Sequence, residues 1–353
     1  MKVIMKKYNL EKLIEWKGPE KADPFPGLPA LSRRPNPLAI RNLVVVSSFK
    51  SCSVFALQKK SGKVVWSFEL GTYGGHSLSH NSEMILAGTV RGIFCLSLAS
   101  GKKNWSYEPY DKEQESFYSE AICAGDSVFI ADRYGYLHAL RAKTGSLKWK
   151  VLLSPSGKYG INATVTVVAN RIYAVSTGGE LSCVDAKTGK LLWVLTLDEG
   201  SIRPPIVSRG KIYIQGEKNI FLIDLKTRDI GKIGFNEIID ICVLGRSIYI
   251  IDKRISSNSS EGEDFSVFAH SQGHSHQILR MKERPSGFFP VAGKKHLGIL
   301  GSGKLIFLNV EKERKEAEVL GLFSSIPFVE KSRIYSVGLL NEAVCFRNPA
   351  FEV

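Results

Sequence analysis

Three groups of side chains in this chain have types and spacing that could do chemistry. His270, His274 and His276 form an H-x₃-H-x-H cluster, and imidazoles so spaced can bind a transition metal. The segment from Gly298 to Lys304, GILGSGK, nearly matches a phosphate-binding loop, in which glycines and a helix N-terminus cradle an anion. It has Leu305 in place of the final hydroxyl and leads into a strand-like run, so a turn between strands is the expected reading. The third group is basic: Lys50, Arg91, Arg133, Lys158, Arg203, Lys218, Lys253 and Arg254, with Tyr134 and Tyr159 beside them. Arginine with aromatics suits nucleotides or acidic peptides. No G-x-S-x-G, H-E-x-x-H or nucleophile–His–Asp pattern can be assembled from local sequence. No catalytic residue is therefore named, although a site assembled from distant segments stays open.

The elements that must carry these groups are short β-strands. Runs rich in Val, Ile, Tyr and Phe are divided by Gly, Asn and Asp, and no long segment of helical period competes with them. Four segments align without gaps: SVFALQKKSGKVVW, GIFCLSLASGKKNW, YLHALRAKTGSLKW and ELSCVDAKTGKLLW. Their tryptophans, Trp66, Trp105, Trp149 and Trp193, are spaced by 39, 44 and 44 residues, a period that fits a four-stranded propeller blade. Gly62, Gly101, Gly145 and Gly189 each follow a Ser or Thr in the last turn, where glycine supplies the positive φ of a tight hairpin. A β-sandwich with accidental similarity would not align four Trp and four Gly positions.

The pattern continues in eroded form through a fifth unit with Lys232 in the tryptophan place, then a sixth, a seventh and an incomplete eighth ending in EAVCF. The strand missing from the eighth is expected at the N-terminus. There LIEWK (Leu13 to Lys17) matches the last-strand pattern with Trp16 in the tryptophan place, and closing the ring removes exposed sheet edges. An amphipathic helix through Leu10, Leu13 and Ile14 is the competing reading. Residues 18–37 hold six prolines and read as a stiff connector to the first blade, or as a peptide ligand for another domain.

The string from Val184 to Trp193, VDAKTGKLLW, closely resembles the tryptophan-docking repeat of propellers of the pyrroloquinoline-quinone (PQQ) type, roughly A-x-D-x-x-T-G-x-x-x-W. The third unit keeps Ala139, Thr144, Gly145 and Trp149 but has Arg141 in the Asp position; the first and second have Gln58 and Ser97 there. The resemblance is good over about residues 38–235 and weak beyond. It implies an eight-bladed propeller in which each Trp, Trp16 included, packs between neighbouring blades. The family's dehydrogenases look for PQQ beneath a disulfide of adjacent cysteines, with calcium held by acidic and amide side chains. This chain has no adjacent cysteines, so no cofactor is expected; the departure points to a non-catalytic relative that binds protein, with a PQQ-dependent dehydrogenase-like enzyme as a further alternative.

In a four-stranded blade, the B–C and D–A loops emerge on one face and the A–B and C–D turns on the other. The larger insertions, 107–119, 153–162 and 252–264, all fall on the first face, and clustered insertions on a repeat protein mark a binding face. The basic group falls there too. With a formal charge of +14 and a pI near 9.4, an anion-binding face is expected to hold another protein or an acidic segment, with nucleic acid or nucleotide as the alternative. The histidine cluster falls in the C–D hairpin of the sixth unit, where a solvated turn is the expected state and no metal is assigned. No apolar stretch approaches a membrane span, and no membrane partner is expected. Six cysteines are scattered, two of them, Cys95 and Cys183, where siblings have Ala56 and Ala139. Free thiols and an N-terminus without an apolar signal core point to a monomer in the cytoplasm.

Overall fold

The computed structural model describes residues 6–9, 14–17, 37–48, 52–71, 74–109, 117, 119–153, 160–254, 263–291, 296–301, 304–320, 327–330, 333–337 and 343–347. Every regular element among them is a β-strand. They form eight sheets with a core of four antiparallel strands each, six of them in plain chain order, one extended by a fifth strand and one completed from the N-terminus, which make an eight-bladed β-propeller. Blades one to eight cover 38–69, 74–107, 122–152, 166–196, 206–234, 238–281, 285–320 and 328–347.

The last blade takes its fourth strand from the N-terminus. Ile14–Lys17 pairs antiparallel with Ala343–Arg347, with Trp16 opposite Cys345. The expected closure is therefore present. A second N-terminal strand, Lys6–Asn9, was not legible in the sequence: it pairs in parallel with Arg314–Leu320, the outer strand of blade seven. Nearly all of the proline-rich connector, 18–36, lies outside the described residues.

The inner strands of a blade are buried on both faces, as in Ser127–Ala131 and Met84–Thr89, because a neighbouring blade packs against each side. Each of the eight junctions holds its own apolar cluster, including the closing one, where Val44 and Leu57 of blade one meet Tyr335 and Cys345 of blade eight.

The tryptophans sit at these junctions. Trp66, Trp105, Trp149 and Trp193 lie opposite Ala56, Cys95, Ala139 and Cys183 in register. A small partner on strand C leaves room for an indole on strand D, which explains the two cysteines as packing residues. A one-residue bulge precedes each Trp and turns it towards the next blade. There Trp66 Nε1 donates to Leu98 O at 3.0 Å and Trp105 Nε1 to Ala142 O at 2.9 Å.

The repeat glycines take positive φ, 69° at Gly101 and 72° at Gly145, and they also lie under the rings. A Cβ on Gly101 would fall 2.5 Å from Trp66 Cε3, and one on Gly145 equally close to Trp105. In blade five the same place holds Arg228 with φ 65°, its guanidinium 5.5 Å from the Trp193 ring centre. Lys232 lacks the preceding bulge, so it pairs with Phe221 and carries its ammonium 5.4 Å from that ring's centre.

Candidate functional site: the insertion-bearing face

The B–C and D–A loops form one rim of the propeller, held by a repeated backbone contact. After blades two to five, the chain arriving at the new blade donates an N–H to the B–C turn of the blade just left. Phe117 N donates to Val90 O (3.1 Å), Ile161 N to Asp132 O (3.1 Å), Ser201 N to Ser176 O (3.3 Å) and Ile238 N to Glu217 O (2.7 Å). The first two close the long insertions after blades two and three. Gly160 belongs to this seam: a Cβ there would stand 2.0 Å from Arg133 O, so only glycine lets the insertion approach.

The tip of the blade-three B–C turn, Arg133 and Tyr134, stands on a buried polar mount. Asp132 Oδ1 accepts the N–H groups of Tyr134 and Tyr136, each at 2.9 Å. Its Oδ2 accepts from His138 Nε2 at 2.9 Å, and His138 Nδ1 lies 2.9 Å from the Tyr107 hydroxyl of blade two. Asp132 and His138 are fully buried. An imidazole with its proton on Nε2 satisfies both contacts, the phenol donating to Nδ1. Burial, with the charge of Asp132 adding to it, pushes the Tyr107 phenol up to about 12, so it keeps the proton it donates. On this mount Tyr134 remains 40% exposed, with the Arg133 guanidinium 5.9 Å from its ring centre.

The other basic candidates are mostly engaged. Arg203 Nη2 donates to Ile239 O at 3.1 Å and its Nε lies 3.9 Å from Asp240, tying blade five to blade six. Lys253 pairs with Glu263 (2.7 Å) and Glu237 (3.4 Å), and Arg254 donates to Gln277. Lys218 is exposed beside Glu217, and its N–H donates to Glu199. Arg91 stays in the B–C turn of blade two, its N–H donating to Thr89. Lys50, Lys158 and Tyr159 lie outside the described residues.

The expected positive field on this face is corrected by its carboxylates. Over the connections that follow blades one to six, flanking strand residues included, the described B–C and D–A segments carry seven Lys or Arg against twelve Asp or Glu. The A–B and C–D segments of the same blades carry sixteen against five. Among the described residues of these six blades, basic charge therefore collects on the face opposite the insertions.

The histidines do not converge. His274 and His276 face one side of their hairpin and His270 the other, by the pairing of Ser271 with His274 and Ala269 with His276. His270 Nδ1 contacts Ser275 Oγ at 2.7 Å and His276 Nε2 donates to Glu313 at 2.7 Å. Among the described residues no group of three His, Cys, Asp or Glu could hold a metal ion. Gly298 and Lys304 lie on two antiparallel strands of blade seven, with no helix to cradle a phosphate, and Lys304 pairs with Glu283.

Eight four-stranded sheets with tryptophans docked between them define a PQQ-type repeat propeller. The family model described as outer membrane protein assembly factor BamB matches residues 16–232, and the chain belongs to that PQQ-repeat family. BamB of Moranella endobia is 34% identical over 123 residues, 32% of each chain. A quinohemoprotein alcohol dehydrogenase, ADH IIB of Pseudomonas putida, is 29% identical over 133 residues, 33% of this chain and 19% of its own. The matched stretches thus span a third or less of these relatives. The crystal structure of BamB from Moraxella catarrhalis superposes with a TM-score of 0.59 at 16% identity, over 90% of this chain and 83% of that one, a likeness of fold.

The relatives include dehydrogenases, so the fit of their cofactor matters. The six cysteines lie at 52, 95, 123, 183, 242 and 345, so no two can form the adjacent-residue disulfide the resemblance implies over PQQ. These residues do not fit the group.

Proposed function

We propose that this chain is a non-catalytic docking propeller whose insertion-bearing face holds a protein partner. The observation that carries this reading is the Arg133–Tyr134 tip, exposed in the B–C turn of blade three and held from beneath by the Asp132–His138–Tyr107 mount. Arginine and tyrosine are the residue types enriched at binding hot spots, and a rigid mount lowers the ordering cost of association. Relatives described as outer membrane protein assembly factors support a role in handling proteins. The poor fit to PQQ supports a non-catalytic role. A preparation that gains a chromophore and alcohol oxidation on adding PQQ and calcium would overturn that part.

The test of the docking reading is affinity capture with three baits: the full chain, an Arg133→Ala/Tyr134→Ala variant, and a Lys187→Ala control on the other face. Loss of the two hot-spot side chains is expected to weaken a retained partner by about thirtyfold, and the control to leave it in place. Equal retention by all three sinks the reading. A monomer in the cytoplasm remains our expectation, the free thiols being in keeping with a reducing compartment; light scattering and cell fractionation test it.

A further inference from the structure

We propose that the face opposite the insertions rests on an anionic lipid bilayer. This inference stands apart from protein docking, because it uses the other side of the disc.

Three observations carry it. The first is charge: sixteen Lys or Arg against five Asp or Glu in the A–B and C–D segments of blades one to six. All but one of those sixteen, the half-buried Lys59, are exposed. Like charges gathered on one surface sum to a field that attracts an opposite one.

The second is shape. The insertions leave this face alone, and its links are short turns closed on their own backbone. Asp185 Oδ1 accepts Lys187 N at 3.1 Å and Thr188 N at 2.9 Å, and Asp224 Oδ1 does the same for Lys226 and Thr227. The C–D turns of blades four and five thus present their cations from a fixed, uniform scaffold, which suits a flat counter-surface.

The third is the apolar rim. Val64, Val65, Leu147, Val168, Leu192 and Ile230 are 37–52% exposed, and each lies in or directly beside one of these links. Aliphatic side chains among lysines suit the boundary between headgroups and acyl chains. Binding to single-stranded nucleic acid draws on exposed aromatic platforms instead, and the large exposed side chains here are all aliphatic. The contact is peripheral, so the lack of an apolar span in the sequence does not bear on it.

The test is sedimentation of the full chain with vesicles of phosphatidylcholine alone or with about a third phosphatidylglycerol, at low and physiological salt. Binding is expected only with phosphatidylglycerol and should fall steeply with salt. Each lysine brought to an anionic surface adds about fivefold. A Lys60→Gln/Lys63→Gln/Lys187→Gln/Lys190→Gln variant should therefore bind about six hundredfold more weakly. Arg91→Gln/Arg133→Gln/Lys218→Gln on the insertion face should bind as the parent. No sedimentation at low salt overturns the proposal, as does equal loss in the insertion-face variant. Displacement from vesicles by single-stranded RNA at concentrations equal to the protein assigns the face to nucleic acid and overturns it too.

Discussion

His276 of blade six meets Glu313 of blade seven at 2.7 Å, and Glu313 stands where blades two, three and four place a glycine beneath the preceding tryptophan. Its φ of 48° keeps the left-handed turn that Gly101, Gly145 and Gly189 supply elsewhere. Arg228 keeps it too, at 65°, and reaches Trp193 through its cation. With Gly62 of blade one at 68°, the turn geometry is common to six blades, while the contact across the junction changes from indole on glycine to cation on indole to ion pair.

Where indole packs on glycine, the junction should be sensitive on both sides. Trp105→Ala should cost about 3–5 kcal/mol. Gly145→Ala combines a positive φ with a Cβ 2.5 Å from the Trp105 ring and should be strongly destabilising. Gly125→Ala has a positive φ but open space around it, so it should cost about 1 kcal/mol of backbone strain alone. Denaturant melts of the three variants check this order.

At Arg228 two effects oppose each other. Arg228→Ala loses the cation over Trp193, about 0.5–1 kcal/mol at an exposed site, and keeps the positive-φ strain. Arg228→Gly loses the same contact but relieves about 1 kcal/mol of strain. The glycine variant should melt within about a degree or two of the parent, and the alanine variant below both. An alanine variant that melts with the parent, and a glycine variant above both, would mean that the cation has no part in the junction.

Deleting residues 1–17 removes the fourth strand of blade eight and the strand laid along blade seven. The closing junction should then open first, with amide exchange rising in 333–337 and 343–347 before the middle blades. Unchanged exchange there would contradict closure by this segment. Trp16→Ala is expected to act in the same direction.

Burial pushes the thiols of Cys95 and Cys183 from 9.0 up to about 11, and those of Cys242 and Cys345 up to about 12. Between pH 9 and 11 the unfolded chain loses thiol protons that the folded chain keeps. The folded state then binds more protons, so stability is whole below pH 9 and falls as pH rises through that window. Melts at pH 8 and pH 10 should show the drop, and alanine at Cys95 and Cys183 should reduce it.

How much of this was legible in the sequence depends on whether a feature repeats. The Trp and Gly positions recur at a near-constant period, so the blades, their turns and the closing IEWK strand could be read from one chain. Lys6–Asn9 carries no apolar alternation, and its place beside blade seven is set by that blade's free outer edge. Tyr107, Asp132 and His138 occur once, in two blades, and only the fold brings them into one network. The face charge failed for a related reason: positive residues are visible in sequence, but Lys253 meets Glu237 and Glu263 from two different loops. The histidines mislead in a simpler way, since strand alternation separates His270 from the other two.

The central claim, that the insertion-bearing face is the docking face, is tested most directly by site-specific photo-crosslinking in cells. A photoreactive residue at Tyr134 should yield a discrete protein adduct, and one at Lys187 on the opposite face should not. An adduct from Lys187 alone, or from neither position, would contradict the account.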